Sequence, residues 1–262
     1  MLSVQLLGTA TFRFNDGRGS GELGRSGRLL GSFLFAFADQ SFRRDYLQDL
    51  FWSDLPFERA RAALNTAVWR MRKVLSTDGL SAAPCLTLER SEVLLRTGDH
   101  LAVDSVVFAA QARDLMRSQS LGPEDIGRLQ ACADLYRGAF LDGEEADWAL
   151  VERERLQALF IQVLSRLAQL LTALGRYDEA IAATRNILRI DPFREREQRD
   201  LLILLGLNGE RATALRHYER WSVMLRQELG LQPPPETVDL IAALRRDDYL
   251  GHFERLQGER HR

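Results

Sequence analysis

The chain is short of the residues that most enzyme motifs need. Among 262 residues there is one lysine, Lys73, beside 34 arginines, two cysteines, Cys85 and Cys132, and four histidines. A nucleotide-binding P-loop requires Gly-Lys, and Lys73 instead follows Arg72. His100, His217, His252 and His261 form no H-E-x-x-H and no cluster with cysteine, and no G-x-S-x-G elbow is present. No catalytic residue, metal ligand or cofactor is therefore expected. Two cysteines outside any C-x-x-C cannot make a disulfide framework and read as ordinary buried thiols. The N-terminus lacks a basic start with an apolar core, and no apolar run approaches the roughly 20 residues that span a bilayer. The expectation is a soluble, cytoplasmic protein with no membrane partner.

What is present is globular. With 45% hydrophobic and 27% charged residues, 19 Gly and 7 Pro, the composition excludes a collagen-like, low-complexity or wholly disordered chain. The length suggests two domains. Gly19-Ser20-Gly21-Glu22-Leu23-Gly24 matches G-x-G-x-x-G, a dinucleotide fingerprint if a second parallel strand follows the next helix. Past Ala38 the sequence instead reads as helix, so a flexible turn is the simpler account.

The order of elements is more informative. Val4–Phe14 alternates as a short strand pair around Gly8, and Ser26–Ala38 reads as a first helix. Asp45–Trp52 forms a second, closed by Ser53-Asp54-Leu55-Pro56, and a third runs from about Phe57 to Leu75. Leu86-Thr87-Leu88 and Glu92–Arg96 flank a turn at Arg90-Ser91 as a terminal hairpin. Strands, three helices and a hairpin describe a winged helix-turn-helix over residues 1–103.

The third helix has two faces. At 100° per residue Leu64, Ala67, Val68, Met71 and Leu75 share one side, the expected core face. The opposite side gathers Arg59, Ala62, Thr66, Trp69, Arg70 and Lys73, with Asn65 and Arg72 on its flank. Five basic residues stand against the single acid Glu58 on this helix, whereas residues 1–103 hold 13 basic against 11 acidic residues. Basic charge is thus concentrated where a helix enters a major groove: arginine reaches guanine, threonine meets thymine methyls, and Lys73 neutralises phosphate. Arg43, Arg44, Arg90 and Arg96 would then clamp phosphates. Trp69 either packs on sugar and methyl surface or turns in against the wing.

The second half repeats. Gly175-Arg176-Tyr177-Asp178-Glu179-Ala180-Ile181 aligns with Gly209-Glu210-Arg211-Ala212-Thr213-Ala214-Leu215 at an offset of 34 residues, the tetratricopeptide (TPR) period. Leu164, Leu167, Ala168 and Leu171 supply the preceding helix face and Pro192 ends the second helix, as close antiparallel packing requires. The fold class is mainly α with a small β component: an N-terminal winged helix-turn-helix over 1–103, a TPR-like α-helical repeat domain over 104–249, and a polar tail over 250–262.

Several stretches carry a family resemblance. Gly27-Arg28-Leu29-Leu30, Phe51-Trp52-Ser53-Asp54 and Ala63 through Leu75 resemble the winged helix of the Streptomyces antibiotic regulatory protein (SARP) family, and Val103-Asp104-Ser105-Val106-Val107-Phe108 its junction into a second domain. Leu135–Leu141, Trp148–Leu156, Asp191-Pro192-Phe193-Arg194-Glu195, His217-Tyr218-Glu219-Arg220 and Glu228–Pro233 are similar to the bacterial transcriptional activator domain that follows in that family. Asn65 and Trp69 stand where the family more often has a basic and a small polar residue. The resemblance implies a DNA-binding transcriptional regulator, usually an activator, that binds direct repeats on double-stranded DNA near a promoter with the third helix in the major groove. It also implies contact with RNA polymerase through Ser53, Asp54, Leu55 and Phe57, and self-association or interdomain control through the helical repeats. With no NTPase, receiver or forkhead-associated domain in the sequence, a signal is expected to arrive through abundance, a partner or a ligand. The competing reading is a TPR-type adaptor whose winged helix no longer reads DNA.

Overall fold

A computed structural model describes residues 2–14, 24–76, 86–88, 91–97, 101–118 and 121–246. In chain order the elements are β1 (Leu2–Gln5), β2 (Thr11–Phe14), α1 (Gly24–Ala36), β3 (Ser41–Arg43), α2 (Arg44–Trp52), α3 (Phe57–Ser76), β4 (Leu86–Leu88), β5 (Glu92–Leu95) and β6 (Leu101–Val103). There follow α4 (Asp104–Arg117), a 3-10 turn (Pro123–Asp125), α5 (Ile126–Leu135), α6 (Asp147–Ala173), α7 (Tyr177–Ile190), α8 (Glu195–Leu207), α9 (Arg211–Leu229) and α10 (Pro235–Arg246). The chain packs as two compact units, Met1–Asp114 with Cys132–Phe160, and Leu115–Ala131 with Ile161–Arg262.

The first unit is a winged helix-turn-helix with two strands more than the sequence suggested. β3 pairs antiparallel with β5, Phe42 opposite Val93, so the wing is a three-stranded sheet ordered β3-β5-β4. β6 pairs in parallel with β1, Val103 opposite Val4, and β2 lies antiparallel on the other side of β1. Three residues are too few to show an alternation, which is why β3 and β6 escape a reading by period. The strand that follows α1 therefore joins a different sheet from β1, and no βαβ dinucleotide unit forms around Gly24; residues 19–23 of that motif lie outside the described residues. Leu64, Ala67, Val68, Met71 and Leu75 are all buried, as the helical period requires.

A later part of the sequence completes this unit. Beyond β1 the chain pairs with residues 139–142: the Gly8 N–H donates to the Ala139 carbonyl (2.9 Å), and Leu141 N–H donates to Leu6 (2.8 Å). Gly138 allows this close approach: a Cβ there would stand 3.1 Å from the Gly8 Cα, so the two backbones would have to part by a few tenths of an ångström. The Arg153 guanidinium holds the segment by donating to the carbonyls of Phe140 (2.7 Å), Leu141 (2.7 Å) and Glu144 (2.8 Å). Trp148 meets Phe33 edge to face, with centroids 5.1 Å apart, inside a cluster that also holds Phe42 and Phe51. Asp104 accepts from the backbone N–H groups of Leu6 (2.7 Å), Leu7 (3.2 Å) and Ser105 (2.7 Å), tying the end of β1 to the start of α4. Cys132 is buried, and burial pushes its thiol up to about 11; Cys85 lies outside the described residues.

In the second unit the 34-residue repeat is also a repeat of hydrogen bonds. Gly175 (φ +71°) and Gly209 (φ +76°) both take the left-handed conformation that ends a helix. Arg176 N–H donates to Leu171 (2.9 Å) and Gly175 to Thr172 (3.0 Å); Glu210 donates to Leu205 (2.8 Å) and Gly209 to Gly206 (3.0 Å). Ala180 and Ala214 are fully buried, where α7 packs on α8 and α8 on α9. By length and composition alone α6 is apolar enough to cross a membrane. Its Val163, Leu164, Leu167 and Leu171 are buried in the second unit, as in a core helix. Residues 247–262, with the whole of the polar tail, lie outside the described residues.

Candidate nucleic-acid interface

The helix α3 is set by its start. Pro56 precedes it and its carbonyl accepts from the N–H groups of Arg59 (2.8 Å) and Ala60 (3.0 Å), so the proline caps the helix rather than lying within it. With the apolar face of α3 buried against α1 and α2, its other face is turned outward. Arg59, Ala62, Asn65, Thr66, Trp69, Arg70, Arg72 and Lys73 are exposed. Arg61 is exposed as well, and the spacing Arg61, Asn65, Trp69, Lys73 makes a stripe at four-residue intervals. A count of charge along α3 includes Arg61 but does not place it on the stripe; the four-residue spacing does.

The partners of these groups differ. The Arg44 guanidinium donates to Oδ1 of Asn65, while the Arg44 backbone N–H donates to the Ser91 carbonyl (2.9 Å). The Arg72 guanidinium reaches the Leu86 carbonyl at 3.3 Å, which ties α3 to the wing. Trp69 is 62% exposed and does not turn in against the wing; the Lys73 ammonium lies 5.9 Å from its ring centroid. Thr66 donates its hydroxyl to the Ala62 carbonyl (2.9 Å), so its oxygen is left as an acceptor on an exposed side chain. Arg70 leans toward the start of α1, where a Cβ on Gly24 would come 3.4 Å from its Nη1. Arg43 is exposed and paired with Asp45 at 2.7 Å, Arg96 is exposed, and Arg90 lies outside the described residues.

Ahead of α3, Ser53 and Asp54 are exposed, Leu55 is half-buried, and Phe57 is 64% exposed. This corner is apolar at Phe57 and acidic at Asp54, a different chemistry from the arginine-rich stripe beside it. Among the described residues no group of three or more His, Cys, Asp or Glu is placed to hold a metal.

Comparison with known proteins agrees with this architecture. Residues 103–245 match the family model of the bacterial transcriptional activator domain. The chain is 27% identical over 241 residues to the transcriptional regulatory protein MoaR1 of Mycobacterium tuberculosis (strain ATCC 25618 / H37Rv), covering 87% of this chain and 76% of that protein. It is 29% identical over 205 residues to the regulatory protein AfsR of Streptomyces griseus, covering 77% of this chain but 20% of AfsR. Among solved structures, Mycobacterium tuberculosis EmbR in complex with a low affinity phosphopeptide shares the fold at a TM-score of 0.70 and 22% identity, over 94% of this chain and 65% of EmbR. The family match covers more than half of the sequence and the relatives are transcriptional regulators. The chain belongs to the bacterial transcriptional activator domain family, in the SARP-type arrangement that sets a winged helix ahead of that domain.

Proposed function

We propose that the chain is a sequence-specific DNA-binding transcriptional activator acting in the cytoplasm, with α3 lying in the major groove. The observation that carries this reading is the division of α3 into a buried apolar face and an exposed stripe bearing Arg59, Arg61, Arg70, Arg72 and Lys73. Such a stripe supplies phosphate neutralisation and groups that reach base edges. Two copies on direct repeats near a promoter, with the Ser53–Phe57 corner against RNA polymerase and the helical repeats in self-association, complete the proposal.

The test is binding of the purified protein to its own upstream intergenic DNA as salt is raised, beside the Arg70→Ala/Lys73→Ala variant. Sequence-selective binding that weakens steeply with salt, and is lost in the variant, supports the reading. The 62% exposed Trp69 favours one rival, a protein-binding platform. Binding no better than to competitor DNA, together with a protein partner retained by the variant, would establish that rival.

A further inference from the structure

The exposed stripe holds one uncharged amide, Asn65, and one cation fastened to it, Arg44. Arg44 opens α2 and is anchored at its backbone by the bond from its N–H to Ser91, so its side chain starts from a fixed point beside α3. A guanidinium has only donors. Its contact with Asn65 Oδ1 therefore settles which way the carboxamide faces: oxygen toward Arg44, nitrogen away. No described residue takes a hydrogen bond from the Asn65 Nδ2.

Resting on the DNA-reading role proposed above, we infer that Arg44 is a positioning residue that commits Asn65 to a guanine in the major groove. An asparagine that reads adenine needs both halves of its amide, the oxygen accepting from N6 and the nitrogen donating to N7. Here the oxygen is already engaged by a cation. Its second lone pair remains, but a donor such as adenine N6 would approach beside a positive guanidinium, whereas guanine O6 would be attracted to it. The outward Nδ2 carries two hydrogens, and guanine offers two acceptors, O6 and N7. Cytosine presents N4–H donors and is disfavoured outright. Arg44 thus acts on a base through its neighbour rather than on a phosphate.

The experiment is selection from a randomised duplex library, followed by affinity measurement at several salt concentrations, with the full chain and with Arg44→Met, Arg44→Lys and Asn65→Ala. The wild type is expected to select guanine at one position of each repeat by about tenfold. Asn65→Ala levels that position, Arg44→Met raises adenine to parity with guanine, and Arg44→Lys, which still donates, keeps guanine. Two results would overturn the inference while leaving DNA reading intact. One is Arg44→Met with unchanged base preference and a shallower salt dependence, the mark of a lost phosphate contact. The other is an Asn65→Ala variant with the wild-type preference at every position. A wild type that selects no sequence would overturn DNA reading itself and this inference with it.

Discussion

The carboxylate of Asp104 accepts a 2.7 Å hydrogen bond from the backbone N–H of Leu6, across 98 residues of sequence. With the bonds from Leu7 and Ser105 it satisfies two backbone donors beyond β1 and one in the first turn of α4. Burial raises its pKa above the ordinary value of 3.8, against the pull of those donors and of Arg137. Asp104→Ala orphans all three donors and is expected to lower the stability of the full chain by about 2–4 kcal/mol in urea unfolding. Asp104→Asn keeps one acceptor and should lose less. A variant as stable as the wild type would show that water replaces the carboxylate without cost.

The helical repeats make a second expectation separable from packing. Around Gly175 and Gly209 a Cβ would meet nothing within 4 Å, so alanine there suffers only from the positive φ. Each Gly→Ala change should cost about 1 kcal/mol, and the two should add. Ala214→Leu instead forces a larger side chain into a fully buried position and should cost about 1–3 kcal/mol. Thermal unfolding of the three variants and of the Gly175→Ala/Gly209→Ala double variant checks both.

His217 sets a dependence on pH. Its Nε2 lies 2.6 Å from the Gln198 Oε1, and the Gln198 Nε2 donates to the Pro192 carbonyl at 2.8 Å, so the imidazole Nε2 carries the proton of that bond. Burial, with Arg220 and Arg185 nearby, pulls its pKa below the ordinary 6.5. The unfolded chain therefore takes up a proton before the folded one. The stability contributed by His217 is present above pH 6.5 and is lost as pH falls through the lowered folded value. Relative to His217→Gln, the wild type should lose up to about 1.4 kcal/mol per pH unit over that window. Parallel stability curves for the two proteins would refute this.

Trp69 offers a clean split between folding and binding. Because its indole is 62% exposed, Trp69→Ala should change stability by less than about 0.5 kcal/mol. On the proposed DNA-reading role, the same change should lower affinity for the selected duplex by about tenfold, measured by fluorescence anisotropy. Unaltered DNA affinity would remove Trp69 from the interface.

In α3 and in the tandem repeat the period is long enough for the element to be legible in the sequence. The core face of α3 from Leu64 to Leu75 follows from the 3.6-residue spacing, and the 34-residue repeat from Gly175 and Gly209 is matched bond for bond. The candidate stripe was legible for the same reason. What period could not show was pairing between distant segments. The strands Ser41–Arg43 and Leu101–Val103 are too short for a pattern, and Arg153, Trp148 and Gly138 act on residues more than 100 positions earlier or on loop carbonyls nearby. The bond from Arg44 to Asn65 is likewise invisible in composition, since any surface arginine reads as a phosphate clamp until its neighbour is known.

The bond network of Arg153 and the edge contact of Trp148 also place a constraint on synthesis. A winged helix whose helices and wing have all been translated by Val103 still lacks the strand-like pairing at Phe140 and the indole against Phe33. At about 5–20 residues per second a ribosome needs several seconds more to deliver them. During that interval the edge of β1 and the Phe33 cluster stand open, so the nascent N-terminal half is expected to keep apolar surface exposed until residues 139–148 emerge.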